Sequence, residues 1–295
     1  MTLAARRGAI AYAFLGIPLV FFIGVRFGPM LYMIAMSFTD WGLLRKTIHV
    51  VGLANYASIF ADPVFLKSLV NTAKYAAVGA PAVIVLSLCI ALILDRVPRG
   101  KGIYRLIYVL PYITPVVAVA WVWRWMFQSP PLGIINAVFV SVGLRAQEFL
   151  NSPTQALPSI LAVNVWIELG YCTIVFLAGI QTIPSSIMEA ARMDGASGWQ
   201  LLRSVTLPLL LPVTLLLVVV EGIQFLRIFT QVYNLSFQAL GGPLDSTKSA
   251  ALYIYQKAFT SFDMGVAASA SLVLFVIILA VTLVQLRLFD TRLNY

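Results

Sequence analysis

Residues 184–212 read Pro-Ser-Ser-Ile-Met-Glu-Ala-Ala-Arg-Met-Asp-Gly-Ala-Ser-Gly-Trp-Gln-Leu-Leu-Arg-Ser-Val-Thr-Leu-Pro-Leu-Leu-Leu-Pro, a polar stretch wedged between two long apolar ones. Its spacing is that of two short helices. Ser186 and Glu189 stand three apart, as do Ser197 and Gln200. That is the capping-box spacing, in which the hydroxyl accepts from an early helical amide and the longer side chain returns to the cap amide. Gly195 suits the left-handed residue that closes the first helix. Trp199, Leu201, Leu202 and Val205 give the second helix its apolar residues, and Pro208 fits the first turn of the apolar segment that follows. Spacing alone leaves both a compact helical hairpin and an ordinary structured loop open.

Outward from this hairpin the chain is far too apolar for water. Hydrophobic residues make up 61%, charged residues 11%, and the mean hydropathy is +0.93, so lipid is the expected solvent. One hydrocarbon crossing takes about 20 mostly apolar helical residues. Stretches of that length fall at 10–37, 71–94, 103–127, 158–180, 208–233 and 264–287. The expectation is an all-α membrane protein with six transmembrane helices, a single membrane domain over 1–295, and a cytoplasmic connection at 181–207. Arg6 and Arg7 before the first apolar stretch resemble the start of a signal peptide, but the stretch runs on too far, so it reads as a retained crossing. No internal repeat is visible, which argues against a self-contained secondary transporter built from two pseudo-symmetric halves.

Six crossings put both termini on one side. Arg6, Arg7, Arg96, Arg99, Lys101, Arg105, Arg192, Arg203, Arg287 and Arg292 would then share the terminal side, against Arg45, Lys46, Lys67, Arg145, Lys248 and Lys257 opposite. Cytoplasmic loops are enriched in Lys and Arg, so both termini are expected in the cytoplasm. The net charge of +9 reads as topology and not as nucleic-acid binding, because the basic residues are scattered between apolar stretches. The short apolar segment 134–144, preceded by Pro130 and Pro131, is expected at the outer interface or against the bundle.

Ionisable groups inside a crossing normally face a cavity or a partner. Glu168 and Glu221 fall near mid-depth. Glu221, Gln224, Arg227, Gln231 and Asn234 are spaced by three or four, one helical face, and Asn164, Glu168 and Tyr171 form a shorter stripe. Such stripes mark either a wet path, with Tyr171 and Trp166 available to sugar rings, or polar helix contacts such as a carboxylate paired with Arg227. Arg26, Lys74 and Arg124 read as snorkelling anchors. Trp121, Trp123, Trp125 and Tyr112 read as belt or packing aromatics. Cys89 and Cys172 read as small buried hydrophobes, with no disulfide or zinc arrangement.

The sequence Glu189-Ala190-Ala191, Asp194-Gly195-Ala196 and Leu207-Pro208 resembles the EAA loop of the membrane subunits of ATP-binding-cassette importers. The resemblance covers nearly the whole chain and narrows to sugar-importer permeases of the maltose type. It includes Ser37-Phe38-Thr39-Asp40-Trp41, Gly52-Leu53, Asn55-Tyr56, Asp62, Phe65 and Asn71-Thr72. It resumes at Gly241-Gly242-Pro243, Thr247, Tyr253-Ile254-Tyr255, Ala258-Phe259, Phe262-Asp263 and Gly265. The chain departs from that pattern at Arg26, at Thr230-Gln231 and at the longer approach Ser236-Phe237-Gln238-Ala239.

The resemblance implies a type I importer permease fold in a bacterial plasma (inner) membrane. It implies as partners a second homologous permease, two cytoplasmic ATPase subunits that bind ATP and Mg, and an external solute-binding protein. It gives Glu189, Ala190, Ala191, Asp194 and Gly195 the ATPase-coupling role, and it places solute contacts around Gly170-Tyr171 and from Gln224 to Arg227.

No Gly-x-x-x-x-Gly-Lys-Ser/Thr loop occurs, and His49 is the only histidine, which removes a phosphate loop and His-based triads from this chain. No cofactor, catalytic residue or metal ligand is expected. Two other classes stay open: a channel or facilitator working alone, and a membrane enzyme using Glu168 and Glu221. Within the importer class, Arg227 leaves room for glycerol phosphate or another polar solute in place of a neutral sugar or polyol.

Overall fold

The computed structural model describes residues 3–44, 47–236 and 240–290. Arg45, Lys46, Arg292 and the stretch 237–239 lie outside them, as do the side chains of Arg6, Arg7 and Lys101. The described elements are helices, apart from one isolated bridge between Thr39 and Val50. We number them α1 (Leu3–Phe22, continuing through Ile23–Phe27 and Gly28–Met36), α2 (Ala54–Ala61), α3 (Pro63–Arg96), α4 (Lys101–Ile113), α5 (Val116–Met126) and α6 (Ile134–Ser141). There follow α7 (Ala156–Gln181), α8 (Ser185–Met193), α9 (Gly198–Leu209), α10 (Leu211–Leu226), α11 (Thr230–Leu235), α12 (Ala250–Phe259) and α13 (Met264–Asp290).

Four of these are long and apolar enough to span a bilayer, and the bent pairs α4–α5 and α9–α10 raise the number to six if each pair is one span. The fold is all-α and multi-pass. Two spans differ from the continuous helices expected. Over 103–127 the chain turns by 94° between α4 and α5. Thr114, the residue before Pro115, is extended, with ψ 138°, because a proline ring crowds the helical conformation of the residue ahead of it. The expected start at Pro208 is also displaced. Pro208 lies near the end of α9, and the 64° bend follows it, before α10.

Prolines leave a second mark. π-helical turns occupy Ile23–Phe27, Tyr75–Gly79 and Leu202–Thr206, and each is followed two residues later by a proline: Pro29, Pro81 and Pro208. Proline lacks an amide hydrogen and its ring meets the carbonyl of residue i−4. One extra residue in the preceding turn shifts that carbonyl aside, so the helix widens where it would otherwise break.

The chain divides into two compact units, one of residues 1–62 and 254–275, the other of 63–253 and 276–295. In the first, Asn55 is buried and donates from Nδ2 to the carbonyls of Ser37 (2.9 Å) and Thr39 (2.8 Å). Tyr56 donates to Ser37 Oγ at 2.7 Å, and the Gly265 amide donates to the Trp41 carbonyl at 2.9 Å. Lys257 pairs with Asp62 at 3.3 Å. These polar residues satisfy the backbone where α1 ends. The segment Tyr12–Met36 of α1 buries none of its residues within the chain.

In the second unit α7 is the central helix, packed by α3 and α4. The approach to α12 is tied down by α3. Asn71 Nδ2 donates to the carbonyls of Asp245 (3.0 Å) and Lys248 (3.1 Å), Tyr75 donates to that of Thr247 (3.2 Å), and Thr72 Oγ1 accepts from the Ala250 amide (2.8 Å). Between α5 and α7 the connection is organised by Asn136, fully buried on α6. It donates to the carbonyls of Gln128 and Gln147, both at 2.9 Å, and accepts from the Gln147 amide at 2.8 Å. α6 itself leaves Ile134, Val138 and Val140 exposed.

Asn136→Ala removes all three bonds and leaves buried backbone groups unpaired, a cost of about 1–3 kcal/mol. Thermal unfolding of the detergent-solubilised protein is expected to show the loss, with earlier proteolysis within 128–155.

Candidate functional site

The stripe expected along one helix from Glu221 to Asn234 is broken in the structure. α10 ends at Leu226; Arg227 (φ −102°, ψ 13°) and Phe229 (φ −134°, ψ −61°) leave the helical conformation before α11 begins. A break at this depth frees backbone groups that lipid cannot satisfy. One is met by Ser249, fully buried, whose hydroxyl donates to the Ile228 carbonyl at 2.6 Å.

Around the break lies a cavity of about 240 Å³ lined by Asn164, Glu168, Gln224, Arg227 and Gln231, with Val116 from the start of α5. It joins two stripes that the sequence holds more than 50 residues apart: Asn164 and Glu168 stand one turn apart on α7, and the others come from α10, the break and α11. Gln224 and Arg227 are exposed to it, Glu168 is half-buried, and Asn164 is only 3% exposed. Among the described residues neither Glu168 nor Arg227 forms an ion pair, so the pairing of a carboxylate with Arg227 weighed from the sequence is absent there. Carboxylate, carboxamide and guanidinium groups in one small cavity can exchange hydrogen bonds with a hydroxylated solute.

The other candidates have different surroundings. Glu221 is fully buried away from this cavity, and its Oε1 accepts from the Cys172 thiol at 3.1 Å. Gly170 backs onto α4, where a β-carbon would fall on the Tyr108 carbonyl. The Tyr171 ring stacks on Tyr112 at 5.3 Å, and Trp166, itself exposed, meets Trp123 edge-on at 5.4 Å, so each ring contacts a neighbouring helix and neither lines this cavity. Asn234 bonds within its own helix, to the Thr230 carbonyl at 2.7 Å. Trp121 and Trp125 are exposed, and the Arg124 guanidinium lies over the Trp121 ring at 5.1 Å. Cys172 is buried as expected, whereas Cys89 is exposed on α3, where a thiol on an apolar helix surface needs no partner.

Sequence reasoning missed Thr230 and Phe229, which also line the cavity, and the supporting Ser249. Only Pro115 hinted at Val116, by ending α4 early enough to bring the start of α5 there.

At the other candidate site α8 and α9 form the expected hairpin. Gly195 sits at φ +84°, its amide donating to Arg192 O (3.0 Å) and the Ala196 amide to Ala191 O (2.9 Å). That pair of bonds is a Schellman ending, which needs a left-handed residue. Ser197 and Gln200 make a capping box, with the Ser197 amide donating to Gln200 Oε1 at 2.8 Å. Ser186 and Glu189 do not. Pro184 takes the cap position and the helix starts at Ser185, so Ser186 is already inside it and cannot cap. Glu189, Ala190 and Asp194 are exposed, Ala191 half-buried, and Met193 (88%) and Trp199 (66%) are bare apolar surface.

Residues 83–295 match the profile of the binding-protein-dependent transport system inner membrane component family. The chain belongs to that family.

It is thus an ABC-type permease subunit. Its relatives include the sn-glycerol-3-phosphate transport system permease protein UgpA of Agrobacterium fabrum, 32% identical over 90% of this chain and 88% of that protein. The trehalose/maltose transport system permease protein MalF of Thermococcus litoralis is also 32% identical, over 80% and 79%. Among solved structures, a bacterial ABC transporter involved in the import of the acidic polysaccharide alginate superposes with a TM-score of 0.83 at 24% identity, covering 97% of this permease and 96% of that chain. The fold is therefore that of a type I ABC importer permease.

Gly170→Val in this permease forces α7 off α4, and overpacking of this kind costs about 1–3 kcal/mol. A lower unfolding temperature in detergent, without any change in the α8–α9 hairpin's protease sensitivity, is the expected result.

Proposed function

We propose that this permease forms half of the translocation path of an ATP-driven importer for a sugar or related polyol. The observation that carries the reading is the cavity where Asn164, Glu168, Gln224, Arg227 and Gln231 converge at a helix break inside an otherwise apolar bundle. The permease relatives, named for trehalose/maltose and for sn-glycerol 3-phosphate, support a polar, hydroxylated cargo.

The partners in this reading are a second homologous permease, two ATPase subunits in the cytoplasm and an external solute-binding protein. The permease lies in a bacterial inner membrane with both termini in the cytoplasm, on the balance of Lys and Arg between its connections. The exposed α8, with Glu189 to Gly195, is the handle gripped by an ATPase subunit. Closure of the ATPases moves it, and the spans swing as rigid bodies to open the cavity to one side and then the other. The chemistry of ATP belongs to the partners. The solute meets only a few hydrogen-bonding groups here, which keeps its release fast.

A β-branched side chain at φ +84° is strained by about 1–3 kcal/mol. Gly195→Val is therefore expected to assemble yet lose uptake, while ATP hydrolysis continues uncoupled; normal uptake in proteoliposomes refutes the handle. Glu168→Ala and Arg227→Ala are expected to lower uptake at least tenfold with the ATPase subunits still bound, and unchanged uptake returns both residues to packing roles.

A further inference from the structure

The cavity is polar, but it is not electrically even. Two charged side chains line it, Glu168 on α7 and Arg227 at the helix break, and neither is neutralised by an ion pair within 4.0 Å among the described residues. Their settings differ. Glu168 is half-buried along the continuous helix α7, whereas Arg227 is exposed at a point where the backbone has left its helix.

The remaining lining adds to the positive side. Val116 is the first residue of the eleven-residue helix α5, and no side chain caps that end. The first amides of a helix have no partner inside it, and the helix dipole gives that end about half a positive charge. The polar residues nearest Arg227 in sequence are Gln224, Thr230 and Gln231, all neutral donors and acceptors that leave its charge standing. Asn164, 3% exposed, keeps an Oδ1 with no hydrogen-bond partner.

A neutral polyol would satisfy the hydrogen-bonding groups but offer the guanidinium no charge-assisted bond, about twice as strong as a neutral one. A solute with one anionic group satisfies both. The guanidinium fork takes two oxygens of a carboxylate or phosphate side by side. The hydroxyls of the same solute then donate to Glu168. A volume of about 240 Å³ leaves room for one sugar ring or a short polyol at a time.

We infer that the solute class of this site is an anionic polyol, a hydroxylated body bearing one carboxylate or phosphate, with the anion on Arg227. This rests on the importer reading above and narrows it: Arg227 selects for charge, and Glu168 serves the hydroxyl end.

The test is saturation-transfer NMR on the assembled, nucleotide-free complex with two matched pairs of probes, sn-glycerol 3-phosphate against glycerol and glucuronate against glucose. At least one anion is expected to give a signal fivefold or more above its neutral counterpart, and the pair that does so tells phosphate from carboxylate. Arg227→Gln is expected to bring that signal down to the neutral level, and Arg227→Lys to restore part of it. Equal signals within both pairs, or an anion signal untouched by Arg227→Gln, overturn the inference. The importer reading fails by a different result, uphill uptake in proteoliposomes with the ATPase subunits omitted and no ion gradient present.

Discussion

A helix that breaks inside a bilayer must find partners within the protein for the backbone groups it frees, and the second unit of this permease is arranged around that demand. The break after Leu226 survives because Ser249, itself buried, meets the Ile228 carbonyl. At the elbow of Thr114-Pro115 both the amide and the hydroxyl of Thr114 donate to the Leu110 carbonyl, at 3.1 and 2.6 Å, which ties off the end of α4. The two breaks face one cavity, bounded by Val116 on one side and Arg227 to Gln231 on the other. Irregular backbone is tolerated at membrane depth where it is buried in protein or lines such a space. The polar site and the broken helices are thus one feature, seen once as chemistry and once as backbone geometry.

Polar residues elsewhere in the second unit have the opposite purpose. Glu221 and Cys172 face each other across α10 and α7, and the Asn71, Thr72 and Tyr75 side chains meet the backbone leading to α12. These contacts are buried and directed at fixed partners, so they hold helices and turns in register. The cavity residues are different in kind. Glu168 and Arg227 lack ion pairs among the described residues, and Gln224 and Arg227 stand exposed.

The α8–α9 hairpin completes the division of labour. Its Schellman ending and capping box give it a fixed shape without help from the bundle, while Met193 and Trp199 stay bare. In the proposed importer reading this element takes the push of the ATPase, and a rigid shape loses little of it in bending.

Much of this was legible in the sequence. Hydropathy determined the all-α, multi-pass fold, because twenty apolar residues in lipid have helix as their only self-satisfied form. The resemblance read around Glu189 to Gly195 pointed to the family that residues 83–295 match, and Gly195 determined its own left-handed turn, since a glycine after a helical run is a local matter of sterics. Three-and-four spacing picked out the cavity residues Asn164, Glu168, Gln224, Arg227 and Gln231. The same arithmetic wrongly kept Glu221 and Asn234 with them, because periodicity reports a helical face only while the helix continues. Where α10 ends, which carboxylate meets a thiol and which faces open space, and that Tyr171 stacks on Tyr112, were decided by tertiary packing. Those outcomes depend on which neighbour from a distant part of the chain arrives to satisfy a freed carbonyl or cover a ring, and no local pattern of residues encodes that meeting.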